Sequence, residues 1–389
     1  MRILIKNAKI VTSTEVIDNG FCAFSNGIIE YVGKESINAD KVIDWEGNYL
    51  IPGFIDLHCH GGNGYEFIDA TVEQVEDICK FHLSKGTTTL LATTLTASLD
   101  QTQKALDNIA EFISNNSDSN LLGVNLEGPC LNPNQCGAQD TKYMILPKEL
   151  NLERLKQKYP FIYKVSVAPE LEGGMELGKQ GRDLGISMSI AHTDADFNTI
   201  QEAVKNGYKS ITHLYSGMNG VVRKNLFRVA GAVEAGLYLD ELNVEVIADG
   251  KHLPNELLKY IYKIKGSDKI CLVTDATRAT GLEEGTISRI GSEENNLPII
   301  VEDQVAKLLD RSSFAGSVAT YDRLYRTMLK AIDEDIVNLV KMCSTTPAKE
   351  LNLIDRGESA VGKRADILMI NNLAEIKKIF IKGSEVQWN

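Results

Sequence analysis

Hydrophobic and polar residues alternate along residues 1–51, in short runs that glycine and asparagine interrupt. A period of two is typical of β-strands with one buried face, and the interruptions are typical of turns. The same texture returns near the other end of the chain, in ADILMINN and IKKIFIKG. We therefore predict that residues 1–51 and 356–389 pair into one small β-sandwich domain.

Between these ends, short apolar runs rich in β-branched residues alternate with segments of helical period. In TVEQVEDICKFHLSKG, for example, apolar residues occupy positions 72, 75, 78, 79 and 83, which form one face of a helix. Strands that alternate with helices are typical of parallel sheets, and eight such units form a (β/α)8 barrel. We predict an α/β fold with a TIM-like barrel over residues 52–355, whose strands are residues 53–60, 87–95, 120–128, 162–170, 185–193, 209–215, 243–250 and 269–276.

Imidazoles and carboxylates stand at the ends of most of these predicted strands. Barrels of this class carry their chemistry at the carboxyl ends of the strands, so these side chains are expected to share one rim. A single histidine at a strand end is more often a structural group than a ligand, but chance placement explains the whole set poorly. The rim residues are His58, His60, Glu127, His192, His213, Asp249, His252 and Asp275.

Composition and charge limit the classes of partner. The chain has 389 residues and a formal net charge of −12, which disfavours nucleic acids and anionic membrane surfaces. No apolar run approaches the roughly 20 residues of a membrane span, and MRILIKNAKIV lacks the features of a secretory signal. We expect a cytoplasmic protein with buried free thiols, in which a local cluster of basic groups can still bind an anionic small molecule.

The rim residues have the donor chemistry of a metal site. Imidazole and carboxylate ligands without thiolates suit Zn²⁺, Fe²⁺ or a similar cation. The period of a strand directs His58 and His60 to the same side, into the barrel mouth, and directs Cys59 away from it. The set able to hold one or two ions also includes Glu127, His192 and His213.

Such a site predicts a hydrolase. A bound divalent cation lowers the pKa of a water molecule towards about 7 and so supplies hydroxide at neutral pH. Hydroxide attacks an amide carbonyl, and a carboxylate accepts the proton of the water and passes it to the leaving amine. Asp275, the last rim residue, suits a ligand role, that of proton carrier, or both, and we assign the acid/base role to it.

Six segments resemble, in chain order, the motifs of the amidohydrolase superfamily: PGFIDLHCHGG, LEGP, AHT, THLYSGM, VIADGKH and LVTDA. More narrowly, they resemble the N-acetylglucosamine-6-phosphate deacetylases, and the resemblance extends over nearly the whole chain. It implies that Glu127, His192 and His213 bind the principal metal and that Asp275 is the catalytic acid/base. Some relatives lose the first pair of histidines and keep one metal. Here the pair is intact, so a second ion is possible.

The same resemblance implies a set of substrate contacts. A basic residue from the loop after strand six is expected to bind the phosphate of the substrate, in relatives partly across a dimer interface, so we expect a homodimer. The implied substrate-binding residues are Ala138, Gln139, Ser216, Gly217, His252, Phe314, Ala315 and Gly316.

Departures from the family pattern concern the substrate and not the metal. Where many relatives read Asn-Ala-Met after the strand-six histidine, this chain reads SGM, and Gln139 stands where some relatives carry histidine. The familiar Arg-Glu-Pro-Gly stretch is replaced by RKNLFRVAG, so Arg223, Lys224 and Arg228 compete for the phosphate role. We favour Arg228, because it directly precedes a plausible helix, RVAGAVEAG, and is expected near the positive end of its dipole.

Three functions remain open on this basis. The first is metal-dependent deacetylation of N-acetylglucosamine-6-phosphate in amino-sugar catabolism. The second is a related amidohydrolase activity on N-acetylgalactosamine-6-phosphate, an N-acyl amino acid or a cyclic amide. The third, a barrel without catalysis, predicts eroded ligands, whereas every ligand position here is filled. His82 lies in a predicted helix and is expected to be a surface or packing residue.

Overall fold

The computed structural model describes residues 1–294 and 297–387, and its centre is a sheet of eight parallel strands. Each barrel strand pairs with the next barrel strand in chain order. A parallel bridge between Cys59 and Ala276 joins the first strand to the segment after the last, and closes the ring. The predicted barrel is confirmed, and its strands, numbered one to eight here, are Phe54–Cys59, Thr87–Thr93, Leu121–Glu127, Ile162–Val167, Ser187–Ile190, Tyr208–Ile211, Asn243–Val246 and Ile270–Leu272.

Helices surround the barrel and pack on it through their apolar faces. The helix after strand one begins at Thr71, whose hydroxyl accepts a hydrogen bond from the Gln74 amide in a capping box. Its inner face includes Val75, Ile78 and His82, so His82 is a buried packing residue and not a surface one. The α-helices are Val72–Ser84, Leu99–Asn115, Leu152–Lys158, Gly174–Asp183, Phe197–Lys205, Ala232–Tyr238, Asn255–Lys265, Tyr321–Ala331, Ile336–Val340 and Thr346–Glu350, with a π-helical turn at Lys341–Thr345.

The two ends of the chain form a second sheet of eight strands. Strand Tyr49–Pro52, just before barrel strand one, pairs antiparallel with Ile367–Ile370 from the C-terminal segment. Apolar side chains from both segments, among them Phe24 and Phe380, form one buried cluster. This confirms that a small β unit is built from both ends. Its strands are Ile3–Val11, Val16–Ser25, Ile28–Gly33, Lys41–Asp44, Tyr49–Pro52, Ile367–Ile370, Ile376–Ile381 and Ser384–Glu385.

We propose that the domain boundaries fall where the sequence predicts them, between residues 51 and 52 and between residues 355 and 356. The antiparallel pairing of the two terminal segments supports this division, since it joins them to each other more extensively than to the barrel strands. The last two residues of the predicted segment 356–389 lie outside the described residues.

Three smaller sheets lie in the loops that follow barrel strands one, six and eight. The largest follows strand eight and returns towards the rim, where the Ala315 amide donates a hydrogen bond to the Ala306 carbonyl at 3.0 Å. This return brings Phe314 to the mouth of the barrel. The small sheets are Gly61–Gly62 with Tyr65–Glu66, Val222–Lys224 with Phe227–Val229, and Ile287–Ile290 with Leu297–Glu302 and Val305–Leu308.

Within the described residues, no helix is both long enough and apolar enough to cross a lipid bilayer. All seven cysteines are free thiols, and all except Cys136 are buried.

Candidate active site

The barrel rim brings together the histidines and carboxylates that the sequence predicts there. His58 lies in strand one and Glu127 is the last residue of strand three, whereas His192, His213 and Asp275 lie just past strands five, six and eight. All five side chains are buried. Because parallel strands end on the same edge of the barrel, five separate segments of the chain meet in one cluster.

Glu127 is the centre of this cluster. Its Oε1 lies 3.1 Å from His213 Nε2 and 3.5 Å from His192 Nε2. The same oxygen lies 3.5 Å from His58 Nε2, and its Oε2 lies 3.4 Å from His60 Nε2. One carboxylate therefore faces the imidazoles of all four rim histidines that we predicted as ligands.

Two overlapping groups of ligand atoms are close enough to hold a metal ion each. In His58, Glu127 and His213 the ligand atoms lie within 4.8 Å of one another, and so they do in His58, His60 and Asp275. Asp275 Oδ1 lies 3.1 Å from His60 Nε2 and 3.4 Å from His58 Nε2. The donors are imidazole nitrogens and carboxylate oxygens, so the residues fit one or two divalent ions such as Zn²⁺ or Fe²⁺.

Cys59, between the first two histidines, points away from this cluster. Its Sγ lies 3.3 Å from His82 Nε2 and 3.5 Å from the Gly61 carbonyl oxygen. Burial raises the pKa of the Cys59 thiol well above its ordinary value. Cys59 is therefore a packing residue, which agrees with the strand period.

Outer contacts turn the Nε2 atoms of three histidines towards the cluster. His192 Nδ1 lies 2.6 Å from the Gln135 carbonyl oxygen, and His213 Nδ1 lies 3.2 Å from the Ser216 carbonyl oxygen. His58 Nδ1 lies 3.3 Å from Glu245 Oε2. An Nδ1–H that donates to an oxygen leaves the Nε2 lone pair free to bind a cation.

The two central carboxylates are held in their ionised form. Burial opposes ionisation of Asp275, but the hydrogen bond with His60 and the imidazoles of His58 and His213 outweigh it and lower the pKa of its carboxyl to about 2. Burial also opposes ionisation of Glu127, and the same surrounding imidazoles hold its pKa well below the ordinary value. Both carboxylates are therefore anionic at neutral pH.

Backbone strain marks the same positions. The φ angles are +44° at His192, +28° at His213 and +49° at Asp275, in the left-handed region that side chains other than glycine rarely adopt. Gly217 also has a positive φ, and a Cβ there would lie 2.7 Å from His192 Nδ1. Strain of this kind persists where a surrounding structure enforces it, and it is concentrated at functional sites.

A pocket opens from the rim onto the cluster. Gln139 lies in its wall, where its Nε2 donates a hydrogen bond to Glu127 Oε2 at 2.7 Å and its Oε1 accepts one from the Thr96 amide at 2.7 Å. Among the predicted substrate contacts, the residues that line the pocket are Ala138, Gln139, Ser216, Gly217, His252, Phe314 and Gly316.

One predicted contact is absent from the pocket wall. Ala315 is fully buried in the apolar cluster of the sheet that follows strand eight, and its amide is bonded to Ala306. The Ala315 side chain therefore faces this apolar cluster, and a substrate contact at Ala315 stays a prediction. The pocket also contains residues that the sequence did not single out: Leu95, Gly137, Ile290 and Ser313.

His252 is held from two sides. Its Nδ1 lies 2.9 Å from Asp249 Oδ2, and its ring lies 5.0 Å from the Phe314 ring, centroid to centroid, in an edge arrangement. Asp249 Oδ1 also accepts a hydrogen bond from the backbone amide of His252 at 2.9 Å, which fixes the turn after strand seven. The imidazole is thereby positioned in the pocket wall with one nitrogen bonded to the protein.

Arg228 lies outside the pocket lining, and the reason for favouring it is wrong. The helix after strand six begins at Ala232, so Arg228 is not adjacent to its positive end. Arg228 instead lies in strand Phe227–Val229 of an exposed hairpin, directly opposite Arg223. Within the described residues, neither arginine forms an ion pair with an acidic side chain.

Sequence reasoning missed two buried charged residues beneath the cluster, Lys164 in strand four and Glu245 in strand seven. Lys164 Nζ lies 2.9 Å from Glu245 Oε1. The signal was present in the sequence, since a lysine in IYKVSV and a glutamate in NVEV interrupt runs that are otherwise typical of fully buried strands.

A barrel rim with four histidines, a central glutamate and an aspartate around one pocket has the architecture of a metal-dependent hydrolase. Residues 49–386 match the model of the amidohydrolase family, and the chain belongs to this family. It is 32% identical to the N-acetylglucosamine-6-phosphate deacetylase of Bacillus subtilis (strain 168), over 98% of this chain and 96% of that protein.

Two other proteins are informative. The chain is 25% identical to the N-acetylgalactosamine-6-phosphate deacetylase of Escherichia coli O157:H7, over 98% of both proteins. It is also similar to the solved structure of a variant N-acetyl-D-glucosamine-6-phosphate deacetylase from Mycobacterium smegmatis in complex with N-acetyl-D-glucosamine-6-phosphate. That similarity has a TM-score of 0.90 at 26% identity and covers 99% of both chains.

Proposed function

We propose that the protein hydrolyses the N-acetyl group of N-acetylglucosamine-6-phosphate, which yields glucosamine-6-phosphate and acetate. The observation that carries the proposal is the convergence of four imidazoles and two ionised carboxylates in one buried cluster, of which all members except His58 line the rim pocket. The 32% identity to an N-acetylglucosamine-6-phosphate deacetylase supports this sugar phosphate as the substrate whose amide is hydrolysed.

The proposed metal ligands are Glu127, His192 and His213 for one ion and His58 and His60 for a second, with Asp275 beside both histidines of the second. A bound divalent ion supplies Lewis acidity, which activates water and polarises the amide carbonyl. The donor set supports Zn²⁺ or Fe²⁺, because it contains nitrogen and oxygen and no thiolate.

Asp275 is the proposed acid/base. Its carboxylate is ionised and exposed to the pocket, so it is ready to accept a proton from the attacking water. In the second half of the reaction it gives that proton to the leaving amine. The hydroxide of the water thus ends in acetate and its proton ends on the amino sugar. The hydrogen bond with His60 fixes the orientation of the carboxylate during both transfers.

The remaining pocket residues are proposed to bind the sugar. His252, with its Nδ1 directed to Asp249, has Nε2 available for a hydroxyl or carbonyl oxygen of the substrate. The Phe314 ring offers an apolar wall beside it. The other proposed contacts are Ala138, Gln139, Ser216, Gly217 and Gly316.

We further propose a homodimer in which the hairpin after strand six contributes to phosphate binding. Arg223 and Arg228 lie directly opposite each other on this hairpin, and like charges at such a pair repel unless an anion neutralises them. The hairpin also exposes Leu226 and Phe227, whose side chains are 83% and 76% exposed. We propose that this exposed apolar tip packs on a second copy of the chain. The basic residues beside the tip would then lie near the substrate phosphate in the pocket of that copy.

N-acetylgalactosamine-6-phosphate is the second candidate substrate. The segment SGM after the strand-six histidine favours it, because this loop lines the pocket and departs from the pattern of the glucosamine enzymes. The Escherichia coli relative with that name, 25% identical, supports keeping it.

A deacetylation assay over four sugars tests the proposal. Purified protein of measured metal content is given N-acetylglucosamine and N-acetylgalactosamine, each with and without the 6-phosphate, and acetate release is followed. We expect the highest kcat/KM for N-acetylglucosamine-6-phosphate and a large loss without phosphate. A preference for the galactosamine epimer supports the second candidate. Equal rates with and without phosphate contradict the phosphate role, and protein that binds added Zn²⁺ or Fe²⁺ yet releases no acetate from any of the four sugars contradicts the proposed enzyme.

A further inference from the structure

Lys164 and Glu245 form a charged pair in the interior of the barrel, beneath the rim cluster. Their side chains are 0% and 1% exposed. Removing two charges from water is costly, and apolar residues of similar volume in such places often give an equally stable or more stable fold. The stability of the barrel therefore does not account for the presence of this pair.

The pair is connected to a proposed metal ligand. Lys164 Nζ donates a hydrogen bond to Ser210 Oγ at 2.9 Å and lies 2.9 Å from Glu245 Oε1. The other carboxylate oxygen, Glu245 Oε2, lies 3.3 Å from His58 Nδ1. On the opposite edge of the imidazole, His58 Nε2 lies 3.2 Å from His60 Nε2, inside the cluster. Lysine, glutamate and histidine thus form one chain of contacts that ends at a ligand atom.

His58 differs in this respect from the other proposed ligand histidines. His192 and His213 direct Nδ1 to backbone carbonyl oxygens. His60 Nδ1 is buried and has no hydrogen-bond partner among the described residues. Within the described part of the chain, His58 is therefore the one ligand histidine whose Nδ1 faces a carboxylate. A carboxylate at this position fixes the tautomer and ring orientation and makes the imidazole a stronger ligand.

We propose that Glu245, anchored by Lys164, is a positioning residue that sets the affinity for the ion bound by His58 and His60. The inference rests on the proposed function, because it concerns the metal site of that enzyme. With Glu127, His192 and His213 assigned to one ion and His58 and His60 to the other, the outer contacts of the two ligand sets differ. His192 and His213 contact backbone carbonyls, whereas His58 contacts a buried ion pair. Loss of an outer-shell partner typically costs about 10–100-fold in metal affinity.

The variant Glu245→Gln tests this proposal, with Glu350→Gln as the matched control. Glu350 is another buried carboxylate of the barrel, which accepts a hydrogen bond from Asn243 Nδ2 at 2.5 Å and one from the Ser187 hydroxyl. Among the described residues it has no hydrogen bond or ion pair with a proposed metal ligand. Both variants replace a buried carboxylate by an amide of the same shape, but only Glu245→Gln changes a group that contacts a proposed metal ligand, His58.

The measurement is zinc binding to metal-free full-length protein, by competition with a chelator, with the bound metal counted by mass spectrometry. We expect two ions in the wild type and in Glu350→Gln. In Glu245→Gln we expect the first ion at unchanged affinity and the second weakened about 10–100-fold. If the single variant does not fold, the double variant Lys164→Met/Glu245→Leu removes both charges together, and the same selective loss is expected there.

Two results overturn the inference. The first is that Glu245→Gln, or the folded double variant, binds both ions with the same affinities as the wild type. The other is a wild type that binds one ion at most. Acetate release, measured on the same wild-type sample, keeps the proposed function separate. A wild type that binds two ions without deacetylating any amino-sugar phosphate contradicts that function, and leaves the binding comparison between variants valid.

Discussion

At the scale of single residues, Asp275 combines an ionised carboxylate with contacts to two proposed ligand histidines. Its proposed role in proton transfer predicts the behaviour of Asp275→Asn, because an amide cannot accept and return a proton. We expect kcat to fall by about 10²–10⁴-fold, while metal and substrate are still bound. Steady-state kinetics with metal analysis of the same sample checks this. Turnover near the wild-type rate would refute the assigned role.

His82 is predicted to make stability depend on pH. It is fully buried, its Nε2 lies 2.8 Å from the Gly61 carbonyl oxygen, and burial lowers its pKa from 6.5 to about 4. Because the unfolded chain binds this proton more readily, the contribution of neutral His82 is complete above pH 6.5 and is lost as the pH falls towards 4.

The variant His82→Gln removes the titrating group and keeps a donor for Gly61. Between pH 7 and pH 5 the wild type should lose on the order of 2 kcal/mol more unfolding free energy than the variant. Urea unfolding of both metal-free proteins at the two pH values measures this difference. Parallel losses in the two proteins would show that His82 is already protonated when buried, or that it does not titrate on unfolding.

At the scale of secondary-structure elements, the sequence predicts the barrel strands well and the loops poorly. All eight strands are found, because buried β-branched runs and helical periods are local signals. The depth of a helical residue is not local, so the sequence left His82 as a surface or packing residue, and the structure shows the packing alternative. The sequence predicts a helix in RVAGAVEAG, whereas Phe227–Val229 is a hairpin strand and the helix begins at Ala232. The turn of this hairpin has Asn225 and Leu226 at positive φ, and leucine is not a turn signal.

The same hairpin carries a prediction about the substrate. If Arg228 binds the phosphate, Arg228→Ala should raise KM for N-acetylglucosamine-6-phosphate by about 10-fold or more, as expected for a lost charge-assisted hydrogen bond of 1.5–3 kcal/mol. The unphosphorylated sugar is the internal control, since its kcat/KM should stay unchanged in the variant. An equal effect on both sugars would assign Arg228 to the fold or to the dimer instead of to the phosphate.

At the scale of the whole molecule, long-range assembly decides what the sequence cannot predict. The rim ligands were predictable because a barrel brings the ends of its strands to one edge. The contact of Lys164 with Glu245 was not: each charge interrupts its own buried-strand run, but no local pattern shows that strands four and seven bring the two charges together across the barrel interior. The exclusion of Ala315 from the pocket likewise depends on how the sheet after strand eight packs on the rim.

The central claim is that the rim cluster binds divalent metal and that deacetylation depends on it. Its most direct test is acetate release from N-acetylglucosamine-6-phosphate before chelation, after chelation and dialysis, and after addition of Zn²⁺ or Fe²⁺ to the same sample. We predict that activity disappears with the metal and returns with it, in proportion to the ions bound. Full activity in protein that has been shown to contain no metal would contradict the claim.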